Sequence, residues 1–573
     1  MRVVRVRLQR FRGFADLVLL PADHVVVVGE PRAGRTDLIT GLRRVLEPRS
    51  TSARPDLLDV HRPLPPSDED DGSTLTEVEV TLVDLDTPVE QDLENWLEVI
   101  DPETGLPAAE DRADAAVMGL RLCYRLRYDP ESETAEHWVD HPKTGARVPR
   151  ADRELVAAIV LDRRAPLQLR PDGVFRRLVA DADEADLLAA LATLGTDMKD
   201  ATGQLVGSSG IRKTLEEVLD AGAARLLQMT AGTPVDDVGF ATDDGSVSAI
   251  LRAMQPTLKL DDAGALPLAA HGSTTTGVLA AAEAVVSATA PGAIVLGDDF
   301  GDDLDAGSAE YLAARLRRNS GQVWLSTRRP EVVRAFRVEE MIRLTRSHGH
   351  RRAHQLATTT DRKARATRRH LHQLLLPAMT ARTVALLEGP HDLEGYTAVA
   401  ERRLRALDIA PPAAYGVRMV APAVGVGGKD QLPHLARLAA ELGFHVRVLL
   451  DNDKPGSDTA LVAELTGLAE HVVRLPERSS VERALVHGVD PARLRTAFTR
   501  IVADHGLTDN VSTIADGDLE DRIIKALKSK GGLHQPFVEA LPAGGKTPQL
   551  AKRVLDTLAQ PPAISGLIEI DLP

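Results

Sequence analysis

The sequence contains a single cysteine, Cys123, among its 573 residues. One cysteine excludes an intrachain disulfide framework and any zinc site built from cysteines. Because its neighbours, Leu122 and Tyr124, belong to a strand-like stretch, we expect Cys123 to serve as a small core residue.

Long apolar runs are also missing. No segment approaches the roughly 18 consecutive apolar residues of a membrane-spanning helix. The chain opens with an Arg-rich, alternating segment rather than with the apolar region of a secretory signal. We therefore expect no membrane association and a cytoplasmic location.

The chain has no excess of basic charge. It carries 69 Lys or Arg against 84 Asp or Glu, a formal net charge of −15. This balance argues against a general electrostatic attraction to nucleic acid, so DNA binding would use local patches. The best candidate patch lies between Arg343 and Arg369, where nine Lys or Arg accompany one acid, Asp361. Basic stretches are also common as solvated linkers, and both interpretations stay open.

Two acidic motifs are the most informative features that the sequence does contain. The sequence EGPHD at 388–392 follows the apolar run 384–387, and DND at 451–453 follows the run 446–450. Acids after short β-compatible runs are typical of the carboxyl edge of a parallel sheet, where open α/β sheets bind ligands. Oxygen ligands there suit Mg²⁺ or Mn²⁺ and hydrolysis of a phosphodiester. One such acidic turn alone would favour a solvated loop, but the pair favours a metal site.

A phosphate-type loop lies near the N-terminus. Residues 29–36, GEPRAGRT, match the spacing of the P-loop GxxxxGK[ST] between an apolar strand and a helix. Backbone N–H groups between Gly29 and Gly34 would cradle phosphates, and Thr36 would hold a magnesium ion. Arg35 replaces the usual lysine. It keeps the positive charge as a planar fork, so we expect altered phosphate geometry.

A second acidic strand end completes this candidate nucleotide site. The apolar run 293–296 leads to Asp298, which is expected to hold the metal through water, and to Asp299. Asp299 stands where a longer glutamate would orient the attacking water. After a strand at 322–325, Arg328 occupies the place where ATPases of this class usually have a histidine.

A further segment resembles the signature with which one ATPase head closes on the nucleotide of another. It comprises residues 268–273, LAAHGS, and assigns Gly272 and Ser273 to nucleotide binding. Each of these pieces alone would be an ordinary strand end or turn. Their order along the chain favours an ATPase head, because independent coincidences multiply.

Together these motifs resemble the overcoming-lysogenization-defect (OLD) nuclease family, in which an ABC-type ATPase is joined to a C-terminal Toprim nuclease domain. The segment 8–14, LQRFRGF, is also similar to the family's first strand and turn. The resemblance covers about residues 1–47 and 266–490. It implies an α/β fold in which the ATPase head binds ATP and the Toprim domain holds a two-metal site for Mg²⁺ or Mn²⁺.

The length of the chain predicts about three to four domains, and the resemblance implies their order. In chain order they are an N-terminal ATPase part at 1–180, a helical insertion or dimerisation arm at 181–260, a C-terminal ATPase part at 261–345, a basic linker at 346–380, a Toprim domain at 381–490 and a C-terminal helical region at 491–573.

Carried over residue by residue, the resemblance assigns the metal ligands and catalytic acids. Glu388 matches the Toprim glutamate, Asp392 the acid of its loop, Asp451 and Asp453 the DxD pair, and Glu482 a later glutamate that completes the cluster.

The family also has a lysine that steadies the scissile phosphate. Lys528 and Lys530 both fit, ahead of a Gly-Gly pair, and we prefer Lys530. Residues 425–429, GVGGK, resemble the glycine turn after the intervening Toprim strand, which would allow a close backbone approach.

The resemblance implies hydrolysis of double-stranded DNA with the carboxylates acting mainly as positioners. The departures at Arg35, Asp299 and Arg328 predict nucleotide binding with weak or absent turnover, and hence a nucleotide-regulated nuclease. The family acts in defence against phage, with some members paired with a UvrD-like helicase in Gabija systems. A homodimer or homotetramer and such a helicase are therefore the implied partners.

Competing interpretations remain. The alternative is an ATP-dependent DNA clamp or repair protein, similar to RecF or SMC heads, with a non-cleaving Toprim domain. The long heptad arms of SMC proteins are absent from the sequence. A DnaG-like primase would need zinc-binding cysteines. A topoisomerase would need a nucleophilic tyrosine, and none of the five tyrosines has a recognisable helix-turn-helix context.

Overall fold

The computed structural model divides into two compact units, Met1–Gln355 and Leu356–Pro573. The described residues are 1–21, 23–61, 75–109, 115–129, 131–161, 166–169, 174–194, 207–229, 234–241, 255–260, 262, 264–288, 292–347, 350–422, 428–542 and 547–572.

An antiparallel sheet of seven strands opens the first unit. In spatial order its strands are Phe14–Leu19, Arg2–Phe11, Leu75–Val83, Val117–Asp129, Leu97–Asp101 and Leu106–Pro107, with Thr134–Asp140 also paired to Val117–Asp129. The alternation predicted for the first strand is visible in its burial. Val6 and Leu8 are buried while Arg7 and Gln9 are partly exposed, because successive side chains point to opposite faces.

The second sheet of this unit is mainly parallel and has six strands. In spatial order they are His350–Gln355, Met341–Ser347, Val25–Gly29, Gln322–Ser326, Ile294–Gly297 and Ala158–Val160. Only the hairpin partner His350–Gln355 runs antiparallel to its neighbour. Val25–Gly29 and Ile294–Gly297 are buried along their whole length, as expected for parallel strands covered on both faces.

The remaining elements that the structure describes in the first unit are helices, helical turns and a small antiparallel sheet. The α-helices are Arg35–Leu46, Thr87–Asp92, Arg150–Glu154, Val174–Leu194, Ser209–Val218, Ala224–Leu226, Ser273–Ser287, Ala306–Asn319 and Pro330–Arg334. Leu219–Ala223 is a π-helix. The short 3₁₀ helices are Leu57–Asp59, Glu94–Trp96, Pro234–Asp237, Leu268–Ala270 and Val338–Glu340. The small sheet comprises Val238–Ala241, Gln255–Leu258 and Leu266–Pro267. The segment 181–260, predicted as a helical insertion, therefore also contributes strands.

The second unit is built on a five-stranded sheet in which every pairing is parallel. Its spatial order is Val417–Val420, Thr383–Leu386, His445–Leu450, His471–Arg474 and Gly566–Glu569. The α-helices of this unit are Arg362–Leu375, Pro390–Leu407, Leu432–Glu441, Thr459–Thr466, Val481–Val486, Pro491–His505, Asp516–Ser529, His534–Ala540 and Gln549–Ala559. The short turns are Leu376–Ala378, Pro412–Tyr415, Gly428–Gln431 and Val511–Thr513.

Two predicted segments contain secondary structure that the sequence did not predict. The segment 346–380, predicted as a basic linker, contains the strand His350–Gln355 and the helix Arg362–Leu375. Asp361 caps that helix by accepting hydrogen bonds from two backbone N–H groups, and three of the helix residues are buried. The C-terminal region, predicted as helical, also supplies the fifth strand of the sheet, Gly566–Glu569. The α/β class itself is confirmed.

Among the described residues, no helix is both long enough and apolar enough to cross a bilayer.

Candidate functional sites

The phosphate-type loop leaves the central strand Val25–Gly29 and enters the helix Arg35–Leu46. Its two glycines are required by the backbone, because Gly29 has a φ of 151° and Gly34 a φ of 98°. A Cβ at Gly29 would also lie 2.3 Å from the carbonyl oxygen of Leu344. The first N–H groups of the helix have no partner inside it, so this end can bind an anion.

Thr36 and Asp298 are brought together as the sequence predicted. Thr36 Oγ1 donates to Asp298 Oδ1 at 3.2 Å, and Ser326 Oγ donates to the same oxygen at 2.5 Å. Asp298 follows the strand Ile294–Gly297, and Ser326 ends the neighbouring parallel strand. A hydroxyl and a carboxylate at this edge are suitable ligands for Mg²⁺. Ser326 was missed, although its position at a strand end next to Asp298 was a usable signal.

Arg35 is turned towards the loop's own backbone. Its Nη1 atom donates to the carbonyl oxygen of Gly29 at 3.0 Å. Burial lowers the pKa of Arg35, and the nearby Asp299 opposes that effect. The Arg35 guanidinium therefore hydrogen-bonds the backbone of the loop itself. This agrees with the expectation that Arg35 would contact phosphates in a different geometry from a P-loop lysine.

Asp299 and Arg328 form the other part of the site where the sequence departs from the ATPase pattern. The backbone of Asp299 has a left-handed φ of 46°, and its N–H donates to Ser326 Oγ at 2.8 Å. Burial and the adjacent Asp298 raise the pKa of Asp299. Arg328 Nε lies 4.0 Å from Asp299, and the guanidinium also pairs with Asp302. Arg328 therefore faces the acids of this strand end.

Arg351 reaches the same loop from the strand His350–Gln355. Its guanidinium pairs with Asp37 and lies 5.2 Å above the ring of Phe14. A Cβ at Gly34 would be 2.5 Å from Arg351 Nη1. The sequence assigned this arginine to the basic patch, and only the hairpin brings it to the loop.

Gly272 and Ser273 are placed on an exposed helix end. Gly272 precedes the first residue of the helix Ser273–Ser287. In the part of the chain that the structure describes, no hydrogen bond joins these two residues to the loop at 29–36. The sequence resemblance assigned them to the nucleotide of a second copy of the chain, and this role stays a prediction.

The second candidate site lies at the carboxyl edge of the five-stranded sheet. Glu388 comes soon after the strand Thr383–Leu386, and Asp451 follows the adjacent parallel strand His445–Leu450. The backbone N–H of Asp451 donates to Glu388 Oε1 at 2.7 Å. The two acidic motifs therefore meet, as their positions after apolar runs predicted.

Two further acids approach from helices. Asp392 lies in the first turn of Pro390–Leu407, where its Oδ2 atom accepts a hydrogen bond of 2.9 Å from the N–H of Gly389. Glu482 lies in the first turn of Val481–Val486. Asp392 and Glu482 are both buried. The charge of each contributes to raising the pKa of Asp451.

Asn452 holds the DND motif in place. Its Nδ2 donates to the carbonyl oxygen of Leu475 at 3.2 Å, and its Oδ1 accepts from Arg474 at 2.9 Å. Because side chains alternate along an extended segment, anchoring Asn452 on one side turns Asp451 and Asp453 to the other. Asn452 therefore anchors the motif between the two acids.

The acids influence one another electrostatically. Burial raises the pKa of Glu388 to about 7, and burial together with the charge of Glu388 raises the pKa of Asp392 to about 7. Burial and the charges of its neighbours raise the pKa of Asp451 well above its ordinary value. For Glu482, burial raises the pKa, but hydrogen bonds from His534 and Ser480 outweigh burial and the net shift is downward. A divalent cation would relieve this repulsion.

The lysine nearest to the cluster is Lys528. Its Nζ atom lies 3.0 Å from Asp453 Oδ2 and 3.8 Å from Glu482 Oε2. Lys530, the lysine preferred from the sequence, instead donates to the backbone carbonyl of His505. The structure therefore places Lys528, and not Lys530, beside the acids, because two positions along the chain at the end of a helix change the direction of the side chain.

Lys429 is another cation beside the acids. Its Nζ atom lies 3.3 Å from Glu388 Oε1 and 2.8 Å from Asp458 Oδ2. It belongs to the predicted glycine turn, of which residues 425–427 lie outside the described residues. Neither Lys429 nor His534, which lies 3.2 Å from Glu482, was assigned to the site from the sequence.

No family model matches this sequence, and no curated protein matches it. Among solved structures, it is similar to an SMC head bound to the C-winged-helix domain of ScpA, with 13% identity, 64% of this chain and 99% of that chain covered, and a TM-score of 0.36. A second is an SMC head domain with an extended coiled coil bound to the C-terminal domain of ScpA, derived from Pyrococcus furiosus, with 11% identity, 62% and 96% coverage and a TM-score of 0.36. The SMC head domain from Thermotoga maritima gives 9% identity, 62% and 100% coverage and a TM-score of 0.30. Likeness at this level fixes neither the family nor the function of this chain.

Proposed function

We propose that this protein is a metal-dependent DNA endonuclease regulated by a nucleotide. The observation that carries the proposal is the meeting of Glu388, Asp392, Asp451 and Glu482 at one edge of a parallel sheet, with Asp453 beside them. We interpret the second unit as a Toprim domain of the OLD type. The first unit is then the ABC-type ATPase head of such a nuclease.

The donor set fits Mg²⁺ or Mn²⁺. All five acids offer hard oxygen ligands, which these ions prefer. Burial raises the pKa of both Glu388 and Asp392 to about 7, and a bound divalent cation would favour their charged forms. When bound, divalent ions would activate water and stabilise the leaving oxygen.

The protein's own residues would hold the metal ions and the scissile phosphate in place. Asp451 and Glu388 are fixed to each other through the backbone N–H of Asp451. Asp453 and Lys528 are both partly exposed, with 44% and 42% of their side chains accessible, so they stand on the side open to a DNA backbone. Lys528 would pair with the scissile phosphate, and the buried acids would hold the metals.

The nucleotide site supports regulation better than fast turnover. Thr36 and Asp298 can hold the magnesium of an ATP molecule, and the loop offers the helix N-terminus to its phosphates. Arg35 is bonded to Gly29, and Arg328 faces Asp299. Arg35, Asp299 and Arg328 also stand where such ATPases usually have lysine, glutamate and histidine, so weak or absent hydrolysis is expected.

The partners follow from the same proposal. The substrate is double-stranded DNA, and the exposed Gly272 and Ser273 would complete the nucleotide site of another copy in a homodimer or homotetramer. A UvrD-like helicase partner, a cytoplasmic location and a role in defence against phage remain predictions from the sequence resemblance.

Cleavage of supercoiled plasmid tests the proposal. Wild-type protein is incubated with Mg²⁺ or Mn²⁺, with and without ATP, beside a variant carrying Asp451→Asn and Asp453→Asn. Glu441→Gln, an exposed acid on another helix, is the matched control. Metal-dependent nicking or linearisation that only the double variant loses supports the nuclease, and the ATP lanes give the sign of regulation.

One observation favours the alternative, a DNA clamp or repair protein with a non-cleaving second unit. Lys429 and Lys528 already pair with Glu388 and Asp453, and such pairs could neutralise the cluster without metal. Folded wild-type protein that binds DNA in an ATP-dependent manner, but cuts it under none of the metal conditions, would establish this alternative.

A further inference from the structure

A group of three side chains lies beside the acid cluster, and none of them is among the five acids of the proposed nuclease site. His391 and Glu394 are one helical turn apart on Pro390–Leu407, and His534 begins the helix His534–Ala540. One ring nitrogen of each histidine and one carboxylate oxygen of Glu394 all lie within 4.8 Å of one another. Residues three apart on a helix share a face, so the pair can act on a common ligand.

His534 is the anchor of this group. The residue is 1% exposed, and its Nε2 atom lies 3.2 Å from Glu482 Oε1. Its Nδ1 atom is buried and has no hydrogen-bond partner among the described residues. A buried imidazole nitrogen without a partner is costly, unless its lone pair serves a ligand.

His391 presents the same feature from the other side. Its ring stacks on that of His534, with centroids 4.8 Å apart and planes at 13°. Its Nδ1 atom is buried, lies 3.7 Å from Glu394 Oε2 and has no hydrogen bond within the described part of the chain. Gly531 packs against the ring, since a Cβ there would be 3.3 Å from His391 Cε1.

We infer that His391, Glu394 and His534 form a binding site for one divalent transition-metal ion of the Zn²⁺ class, separate from the all-oxygen site for Mg²⁺ or Mn²⁺. Two imidazoles and one carboxylate form a donor set that suits such ions, whereas Mg²⁺ takes oxygen ligands. Ligands of one tetrahedral ion at zinc bond lengths are roughly 3.4 Å apart. The three ligand atoms lie within 4.8 Å of one another, so binding of an ion would draw the half-exposed side chains of His391 and Glu394 towards His534.

The contact between His534 and Glu482 links the proposed ion to the acid cluster. An ion on Nδ1 of His534 leaves the proton on Nε2, where it is donated to Glu482. This is the carboxylate–histidine–metal arrangement, and it would hold Glu482 in the orientation that the acid cluster uses. His534 is therefore also a positioning residue for the proposed nuclease, but binding of the ion does not depend on cleavage.

Cobalt binding tests the inference. Full-length protein without a histidine tag is stripped with chelator, saturated with Mg²⁺ to fill the oxygen site, and titrated with Co²⁺ while visible absorption is recorded. Four-coordinate Co²⁺ with nitrogen ligands absorbs far more strongly than six-coordinate Co²⁺ with oxygen ligands. We expect a visible band that saturates at one Co²⁺ per chain and disappears on addition of Zn²⁺.

The variants locate the site. His391→Asn and Glu394→Gln change half-exposed side chains, and His534→Gln removes the buried ligand; each should weaken Co²⁺ binding by at least about tenfold. His434→Asn, an exposed histidine on another helix, and Asp451→Asn should keep the band. A wild-type protein without the band, or a band that survives both His391→Asn and Glu394→Gln in folded protein, would overturn the inference. Because the readout is binding, failure of the nuclease proposal would leave this result unchanged.

Discussion

The backbone N–H of Asp451 donates a hydrogen bond of 2.7 Å to the side chain of Glu388. This contact joins the ends of two neighbouring parallel strands and makes two motifs, 63 residues apart, into one site. A carboxylate that accepts from the backbone of the next strand has little freedom to turn away. The sheet therefore fixes Glu388 and Asp451 relative to each other. The other acids, on neighbouring helices, and the lysines lie around this pair.

The two lysines of the C-terminal region should differ in their importance. Lys528→Ala removes the cation beside Asp453 and Glu482 and should lower plasmid cleavage by about 100-fold, the scale of losing one charge-stabilising group in an active site. Lys530→Ala is the matched control and should have little effect, because its ammonium binds the carbonyl of His505. Equal losses in the two variants would contradict this assignment.

Divalent ions should stabilise the protein through the same acids. At a free concentration of about 100 times Kd, Mg²⁺ or Mn²⁺ bound only to the folded state adds about 2.7 kcal/mol to the free energy of unfolding. Thermal unfolding should therefore shift upward by several degrees in wild type and in Glu441→Gln. The double variant Asp451→Asn, Asp453→Asn should show no such shift, and a shift of the same size there would place the ion elsewhere.

Thr36 should be needed for binding of Mg²⁺ with ATP. Thr36→Ala removes a hydroxyl that contacts Asp298 at 3.2 Å. In the proposed complex this hydroxyl would bind the Mg²⁺ ion, and an interaction with a charged group is worth about 1.5–3 kcal/mol, so the nucleotide Kd should rise roughly 10- to 150-fold. Isothermal titration with a non-hydrolysable ATP analogue measures it, with Thr40→Ala, one turn later on the same helix, as the control. Unchanged affinity in Thr36→Ala would remove this residue from the nucleotide site.

His372 should make stability depend on pH. Burial lowers the pKa of this histidine from 6.5 to about 4. Between these values the unfolded chain binds a proton that the folded chain excludes, so the contribution is complete above about pH 6.5 and is lost as pH falls towards 4. The loss reaches at most about 3 kcal/mol. Urea unfolding at about pH 7 and about pH 5 should show a smaller difference in His372→Gln than in wild type; identical differences would contradict it.

Cys123 should be inert in the folded protein. It is 2% exposed, and burial raises the pKa of its thiol well above the ordinary value, so little reactive thiolate forms. A disulfide reagent that reports thiols by colour should react slowly with native protein and release one equivalent per chain in denaturant. Fast reaction of the native protein would show that the strand Val117–Asp129 opens locally.

Much of the acid site could be predicted from local sequence. Glu388 and Asp451 follow short apolar runs that are typical of buried strands, and parallel strands end at the same edge, so their proximity was a prediction that the strand pairing confirms. The loop at 29–36 and Asp298 were predictable for the same reason. The choice between Lys528 and Lys530 was not, because both lie at the end of one helix and only its packing decides which side chain faces the acids.

The sequence by itself determined where acids, glycines and hydroxyl groups follow strands, since that depends on the hydrophobic period of short segments. It could not show that the last strand, Gly566–Glu569, joins the sheet of the second unit, nor that a basic stretch forms a hairpin carrying Arg351 to the phosphate-type loop. The stacking of His391 on His534 was equally hidden. These contacts join segments far apart in the chain, and they depend on which faces of helices and strands are buried against each other. Only the tertiary structure decides that.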